Sequence, residues 1–263
     1  MTAEYERLFV TAGGAKIEVL KGGRGRPLIA LHSIEGNLGW LPMHQRLADH
    51  FTVYVPTHPG YAGSERPACL ESFIDLARFY PWILQELDIG KATLVGHFIG
   101  GWLGAEMAVS CPEMVEKLVL IDSAGIKPQR GEIADIFLHG IEGTRALSFH
   151  DAKQVRDFES LFAPGKSPQE RERQTINREA TTRYCWKPYA HDPLLPLLLG
   201  RLRIPTLIIW GREDRIVPLE CAELFAGAIA NSRLAAIDGC GHFPQFERPD
   251  EFNRALSEFL LVG

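Results

Sequence analysis

Short apolar segments alternate with amphipathic segments along most of this 263-residue chain, and this alternation limits the possible folds more than any other feature. The runs Leu28–Leu31 and Leu118–Ile121 are continuously hydrophobic, which is typical of parallel strands covered on both faces. The helical segments between such runs suit the crossover connections of a parallel sheet. The first two strands flank Ala12–Ala15 and predict an antiparallel hairpin. We therefore predict an α/β fold with a mostly parallel twisted sheet and helices on both faces.

The predicted elements divide the chain into a core and an insertion. The predicted strands are Arg7–Thr11, Lys16–Leu20, Leu28–Leu31, Thr52–Val55, Thr93–Val95, Leu118–Ile121, Thr206–Trp210 and Arg233–Ile237. The predicted helices are Leu41–Asp49, Leu70–Leu87, Ile99–Ser110, Ile133–Ile141, Ala152–Phe162, Gln169–Thr181, Leu219–Ala230 and Pro249–Leu261. Because no strand-like run occurs from about Gly125 to Gly200, we predict a core of residues 1–124 and 201–263 with a helical cap (lid) of residues 125–200. Such a cap would cover the carboxyl edge of the sheet, where ligands bind in open α/β folds.

Composition excludes several classes of partner and cofactor. With 28 Lys+Arg against 33 Asp+Glu, the formal net charge is −5, whereas nucleic-acid binders usually carry a basic field. The five cysteines are scattered and lack C-x-x-C spacing, which predicts no disulfide framework and no structural zinc. No ligand cluster or phosphate-binding glycine loop is evident, so we expect no metal and no organic cofactor.

The distribution of apolar residues also bears on location. No run approaches the roughly 20 apolar residues that span a bilayer, and the N-terminus lacks the basic and apolar regions of a signal peptide. Free cysteines are typical of a reducing compartment. We therefore expect a cytoplasmic protein without membrane partners, whose oligomeric state the sequence does not predict.

Three groups of loops at predicted strand ends carry the residues of chemical interest. The first is His32–Gly36, after a buried strand, and the second is the strand-to-helix turn Val95–Gly101. The third group comprises Gly211–Pro218 and Asp238–Pro244. In parallel sheets these loops meet at one edge, so their side chains are expected to form a single site.

The chain resembles an α/β-hydrolase with a helical cap, and the matching segments follow the family's order along nearly its whole length. His32 and its following residues resemble the oxyanion loop. The segment Thr57–Ser64 resembles the family's D-x-P-G-x-G-x-S turn, although Thr57 and Ala62 depart from it. The resemblance implies the α/β-hydrolase fold and action on a small organic substrate, with ester and carbon–carbon bond hydrolases as the nearest activities.

The resemblance also implies a catalytic acid, a base and an oxyanion hole. Asp214 stands where the family has its acid, and His242 where it has its base. Asp214 would hold the imidazole in one tautomer and leave the other nitrogen as a general base. The backbone N–H groups of Ser33 or Ile34 and of Ile99 would stabilise an oxyanion.

The departure lies at the nucleophile. The family's elbow reads G-x-S-x-G, and here Gly96, Gly100 and Gly101 are retained while Phe98 replaces the nucleophile. A phenyl ring has no lone pair, so no covalent intermediate can form at this position. We expect a positive φ at Phe98 and a ring that fills the space beside the oxyanion hole.

Several further residues are predicted to line an apolar substrate pocket. They are His32, Glu35, Trp40, His97, Phe137, Trp186 and Phe243. Each of these residues has an alternative interpretation. The aromatic residues have spacings that are also common in hydrophobic cores, His97 has a structural role as its alternative, and Glu35 has a solvated position in the loop. Asp122 ends a strand at the same edge, where some relatives have their acid, but Asp214 fits that role better.

Two classes of function follow. In the first, the chain is an enzyme for a small, largely apolar ester- or ketone-type substrate, and His242 with Asp214 acts as a general base without a serine nucleophile. In the second, it is an inactive relative or a ligand-binding protein, or a serine hydrolase inactivated by substitution at Phe98. Retention of both dyad loops favours the first.

Overall fold

A computed structural model of the chain describes residues 4–156, 158–162 and 167–261. Its eight strands are β1 (Tyr5–Ala12), β2 (Ala15–Gly23), β3 (Arg26–Leu31), β4 (Phe51–Pro56), β5 (Ala92–His97), β6 (Val115–Ile121), β7 (Thr206–Gly211) and β8 (Ser232–Ile237). They form one sheet in the order β1-β2-β4-β3-β5-β6-β7-β8. The pairs β1–β2 and β2–β4 are antiparallel and the other pairs are parallel. The predicted α/β architecture, its hairpin and all eight strands are confirmed.

The helices are α1 (Pro42–Leu47), α2 (Phe73–Glu86), α3 (Ile99–Ser110), α4 (Ile136–Ser148), α5 (Phe158–Phe162), α6 (Pro168–Cys185), α7 (Leu195–Leu199), α8 (Leu219–Ala228), α9 (Pro244–Glu247) and α10 (Pro249–Leu261). Short 3₁₀ turns lie at Pro112–Met114 and Ala152–Gln154. Within the described part of the chain, no helix combines the length and hydropathy needed to cross a bilayer.

Two predicted helices differ from the structure. The predicted helix Ala152–Phe162 is instead the second 3₁₀ turn followed by α5, and Asp157 between them lies outside the described residues. The predicted helix Ile133–Ile141 starts later, because the Asp135 side chain caps the N–H groups at the start of α4. It is interrupted at Gly140, whose φ of 65° is non-helical, and then continues to Ser148.

The core occupies both faces of the sheet. One hydrophobic cluster packs α2, α3 and α8 against one face, and a second packs α1 and α10 against the other. All six residues of β5 and of β7 are buried, as expected for central parallel strands covered on both faces. The runs Leu28–Leu31 of β3 and Leu118–Ile121 of β6 are also buried, which explains why these segments are continuously apolar in the sequence.

The helical insertion, residues 125–200, lies between β6 and β7 and contains α4 to α7. At its base, the Gly125 N–H donates to the Ala190 carbonyl (3.0 Å) and the Asp192 N–H donates to the Gly125 carbonyl (3.1 Å). These bonds close the two ends of the insertion onto each other. The exact division into core and cap stays a prediction.

Candidate active site

The turn between β5 and α3 has the backbone of a nucleophile elbow. Phe98 has φ 50° and ψ −109°, a region that costs a bulky side chain about 1–3 kcal/mol. Glycine is required on either side because a Cβ at Gly96 would overlap the Gly100 carbonyl, and a Cβ at Gly100 would overlap the Leu31 carbonyl. The expected positive φ at Phe98 is therefore present, and close backbone packing maintains it.

The loops after β7 and β8 bring Asp214 and His242 together. His242 Nδ1 donates to Asp214 Oδ2 at 2.7 Å, and both side chains are buried. The other carboxylate oxygen, Oδ1, accepts the N–H groups of Ile216 (2.7 Å) and Val217 (3.1 Å). Asp214 is thus oriented by its own loop, and it directs the remaining nitrogen of His242 away from itself.

That remaining nitrogen, His242 Nε2, is buried and has no hydrogen-bond partner among the described residues. The ring of Phe98 stands edge-on to the imidazole, with ring centroids 4.8 Å apart and planes at 83°. Phe98 is only 1% exposed. The phenyl ring therefore occupies the place from which a nucleophile would donate a proton to His242. Leaving the buried Nε2 without a hydrogen bond costs free energy of folding.

Two neighbouring residues support the His242 loop, and neither was predicted in this role. The His242 N–H donates to the Ser148 carbonyl at the end of α4 (2.7 Å), and Glu247 Oε2 accepts the Gly241 N–H (2.7 Å).

His97 also holds the His242 loop, because its Nε2 donates to the His242 carbonyl at 2.7 Å. Burial lowers the pKa of His97 well below its usual value, so this imidazole is neutral.

The oxyanion loop is held by a pair of buried histidines. His32 stacks on His58, with ring centroids 3.6 Å apart, and its Nε2 accepts the His58 N–H (2.9 Å). His58 Nε2 in turn donates to the His32 carbonyl (3.0 Å), and its Nδ1 is bonded to the Tyr80 hydroxyl. Burial lowers the pKa of both imidazoles. His32 therefore anchors the loop that carries Ser33 and Ile34.

Helix α6 of the insertion also binds the oxyanion loop, through residues that the sequence did not single out. Asn177 Nδ2 donates to the Glu35 carbonyl (2.7 Å) and Asn177 Oδ1 accepts the Ala62 N–H (2.9 Å). Arg173 donates to the Asn37 carbonyl. These long-range contacts link the insertion directly to the loop beside the dyad; no local pattern in the sequence signals them.

A cavity of about 460 Å³ lies between the insertion and the carboxyl edge of the sheet. Its wall is largely apolar and includes Ile34, Leu38, Ile136, Phe137, Phe149, Leu161, Phe162 and Phe243. Arg145, Arg173 and Arg178 also line it, and each donates to a backbone carbonyl. A second cavity of about 60 Å³ adjoins the oxyanion loop and is lined by His32, Ser33, His97 and Phe243, among others.

Glu35 lines both cavities. Its Oε2 atom is buried and has no hydrogen-bond partner among the described residues, so the carboxyl group is not solvated. Burial raises the pKa of Glu35, an effect opposed by hydrogen bonding at the carboxyl and by the nearby His242. Glu35 is thus half-buried at the cavity wall, and its contact with substrate stays a prediction.

Two of the predicted pocket residues lie elsewhere. Trp40 stacks on Tyr5 of β1 with ring centroids 5.0 Å apart, and Trp186 is 57% exposed with its ring against Phe137. Neither lines the cavities described above. Trp40 packs against a ring of β1 and Trp186 packs behind the wall residue Phe137, so this placement does not support their predicted contact with substrate.

Asp122, at the end of β6, places a second carboxyl group beside the dyad. Its Oδ1 accepts the Gly211 N–H (2.9 Å), while its Oδ2 is buried without a partner in the described chain. Donor atoms of Asp122, Asp214 and His242 lie within 4.8 Å of one another, the one such group found among residues the structure describes. Because hydrogen bonds already engage Asp214, and burial raises the Asp122 pKa, a shared proton suits this donor set better than a cation.

Comparisons with known proteins agree with this architecture. The sequence is 28% identical over 282 residues to a 2-hydroxy-6-oxononadienedioate/2-hydroxy-6-oxononatrienedioate hydrolase of Burkholderia vietnamiensis, covering 98% of this chain and 96% of the relative. The solved 2-hydroxy-6-oxo-6-phenylhexa-2,4-dienoate hydrolase of Rhodococcus sp. strain RHA1 superposes with a TM-score of 0.80 at 24% identity, covering 99% and 100% of the two chains. A membrane phospholipase A structure gives 0.83 at 21% identity, covering 97% and 86%.

The family assignment rests on most of the chain. Residues 26–249 match the family model described as the alpha/beta hydrolase fold. That range includes β3 to β8, the elbow, the insertion and both dyad loops. The sheet order and the elbow geometry described above are those that the sequence resemblance implied. The chain therefore belongs to the α/β-hydrolase family.

Proposed function

We propose that the protein is an enzyme in which the His242–Asp214 dyad acts as a general base on a small, largely apolar carbonyl substrate, with no covalent intermediate. The observation that carries this proposal is the buried, unpartnered Nε2 of His242, whose other nitrogen is held by Asp214 at 2.7 Å. Phe98 offers no nucleophile, so the reaction must use water or a proton of the substrate itself.

The chemistry follows from the tautomer. With Nδ1–H donated to Asp214, the Nε2 lone pair accepts a proton from water, and the resulting hydroxide attacks the carbonyl carbon. The backbone N–H groups of Ile34 and Ile99 are proposed to stabilise the oxyanion. When the tetrahedral intermediate collapses, the imidazolium returns its proton to the leaving group, and Asp214 stabilises the cation in between.

The cavity supports an apolar substrate. Its volume of about 460 Å³ lies within the range of small-molecule sites, and aromatic and aliphatic side chains form most of its wall. The relative from Burkholderia is named as a 2-hydroxy-6-oxononadienedioate/2-hydroxy-6-oxononatrienedioate hydrolase, and the Rhodococcus structure as a 2-hydroxy-6-oxo-6-phenylhexa-2,4-dienoate hydrolase. We propose ketone- and ester-type substrates of this size, held under the insertion acting as a cap.

The experiment is a turnover assay with a carbonyl panel, comprising 2-hydroxy-6-oxo-6-phenylhexa-2,4-dienoate and phenyl acetate. We expect the unmodified chain to convert at least one member, and His242→Ala to lose about 100-fold or more of that rate. His50→Ala removes an exposed histidine and is the matched control, with no change expected. Turnover that survives in His242→Ala would refute the general-base role.

A second candidate function is ligand binding without turnover. It is favoured by one observation: neither His242 nor Phe98 lines either cavity, so the proposed base is not exposed to the space that would hold a ligand. In that case the panel compounds would raise the melting temperature of the chain but would not be converted. Binding of the same compounds with no turnover would decide for this function.

A further inference from the structure

Glu35 is a half-buried acidic side chain beside the proposed active site, and the proposed mechanism gives it no role. It follows Ile34 in the oxyanion loop and borders both cavities. Its position is fixed, because the Gly36 N–H closes a turn onto the Ser33 carbonyl (3.1 Å) and Asn177 holds the Glu35 carbonyl (2.7 Å). The backbone that carries the Glu35 side chain is therefore held in place by these hydrogen bonds.

The surroundings of the Glu35 carboxyl group contain no fixed cation. Among the described residues, no lysine, arginine or histidine forms an ion pair with it, and Oε2 is buried without any partner. The three arginines of the cavity wall donate to backbone carbonyls instead. Burial disfavours the ionised carboxylate more than hydrogen bonding at the carboxyl and the nearby His242 stabilise it, so the pKa of Glu35 is raised, and a carboxylic acid carries one O–H donor.

We propose that the Glu35 carboxyl group donates a hydrogen bond to the carbonyl oxygen of the bound substrate and so determines specificity for carbonyl compounds. The inference rests on the proposed function for its substrate class. Ile34 and Glu35 are adjacent in one loop and both line the larger cavity, so a substrate oxygen bound against this loop would lie near both donors. Burial raises the pKa of Glu35 and keeps its proton available for this bond.

The hydrogen bond from Glu35 would also compensate the negative charge that develops on the substrate carbonyl oxygen during the reaction. As His242 Nε2 takes a proton from water, the carbonyl oxygen gains negative charge, and the Glu35 proton moves toward that oxygen. The products of this step are a protonated substrate oxygen, a Glu35 carboxylate and a His242 imidazolium. The two ions are close enough to interact, since His242 already influences the Glu35 carboxyl group. Reversal of both transfers restores the resting site.

The test measures binding rather than turnover, with two probes of nearly equal shape. Acetophenone carries a carbonyl oxygen where α-methylstyrene carries a methylene group. We expect the unmodified chain to bind acetophenone about tenfold more tightly, the factor that one buried hydrogen bond supplies. Glu35→Gln keeps an N–H donor and should retain most of the preference, whereas Glu35→Met should abolish it.

Glu172→Met is the matched control, because Glu172 is an exposed carboxyl residue of α6 that lines neither cavity; the acetophenone preference of this variant should be unchanged. If Glu35→Met does not fold, Glu35→Ala is judged by the same criterion. A preference that persists without the carboxyl group, or a wild-type chain that binds acetophenone no better than α-methylstyrene, would overturn the proposal. A preference that depends on Glu35 in a chain without turnover would support Glu35 while refuting the general-base enzyme.

Discussion

The nucleophile elbow and the dyad loops meet at one edge of the sheet, but they match the family's pattern in different ways: the elbow in its backbone, and the dyad loops in their side chains. The elbow keeps its backbone: Phe98 has φ 50°, and glycines at 96 and 100 allow the close packing. The dyad loops keep their side chains: Asp214 and His242 lie 2.7 Å apart with Asp214 fully oriented. The difference shows that backbone packing and side-chain identity are separate constraints, because close glycine packing holds the elbow backbone even with a phenyl ring at position 98.

The substitution with the largest expected effect places a nucleophile at position 98, so that the elbow has both the backbone and the side chain of the family's pattern. We expect Phe98→Ser to raise phenyl acetate hydrolysis by about 10²–10³-fold, since the elbow, the free Nε2 and the oxyanion loop are in place. Steady-state assays of the two proteins provide the measurement. The double variant Phe98→Ser/His242→Ala is the control and should remain inactive. A folded Phe98→Ser protein without esterase activity would show that the dyad or the oxyanion hole is not functional.

A second change tests whether the elbow backbone is really constrained. A methyl group at Gly100 would overlap the Leu31 carbonyl, so Gly100→Ala should lower the free energy of unfolding by about 3 kcal/mol or more. Gly227→Ala is the matched control, because this helical glycine has open space around it and the substitution should add about 0.5–1 kcal/mol. Urea denaturation measures both. Equal effects would mean that the elbow packs more loosely than described.

A third change tests how a titratable group of α3, the helix that follows the elbow, alters the free energy of unfolding with pH. Burial, with Asp192 nearby, raises the pKa of Glu106 from 4.5 to about 7, and Trp102 donates to its Oε1 at 2.8 Å. Between pH 4.5 and 7 the folded state binds more protons than the unfolded state, so this group lowers stability as pH rises, and the loss is complete above pH 7.

Glu106→Gln removes that titration while keeping the acceptor for Trp102. The variant should match the wild type near pH 4.5 and exceed its free energy of unfolding by roughly 2–3 kcal/mol at pH 8, since one pKa unit corresponds to about 1.4 kcal/mol. Urea denaturation at both pH values gives the comparison. A constant difference at the two pH values would show that Glu106 titrates normally.

Much of the fold was predictable because its signals are local. Continuous apolar runs marked the central strands, and α3 has the predicted bounds because the elbow glycines mark where it starts. The dyad pair followed from motif order. The contacts of Asn177 with the oxyanion loop and of Ser148 with His242 were not predictable, because they join segments more than 90 residues apart without a pattern of their own. Trp40 stacks on Tyr5 and lines neither cavity, a placement that composition alone cannot distinguish from a cavity wall.

The most direct test of the central claim compares two substitutions in the same turnover assay. If His242 is the base and residue 98 has no chemical role, His242→Ala should lose about 100-fold or more of the carbonyl-panel rate. Phe98→Ala should retain or increase that rate, because it removes the ring that packs edge-on against His242 and leaves space for water beside the buried Nε2. Equal losses in both variants, or no loss in His242→Ala, would contradict the account.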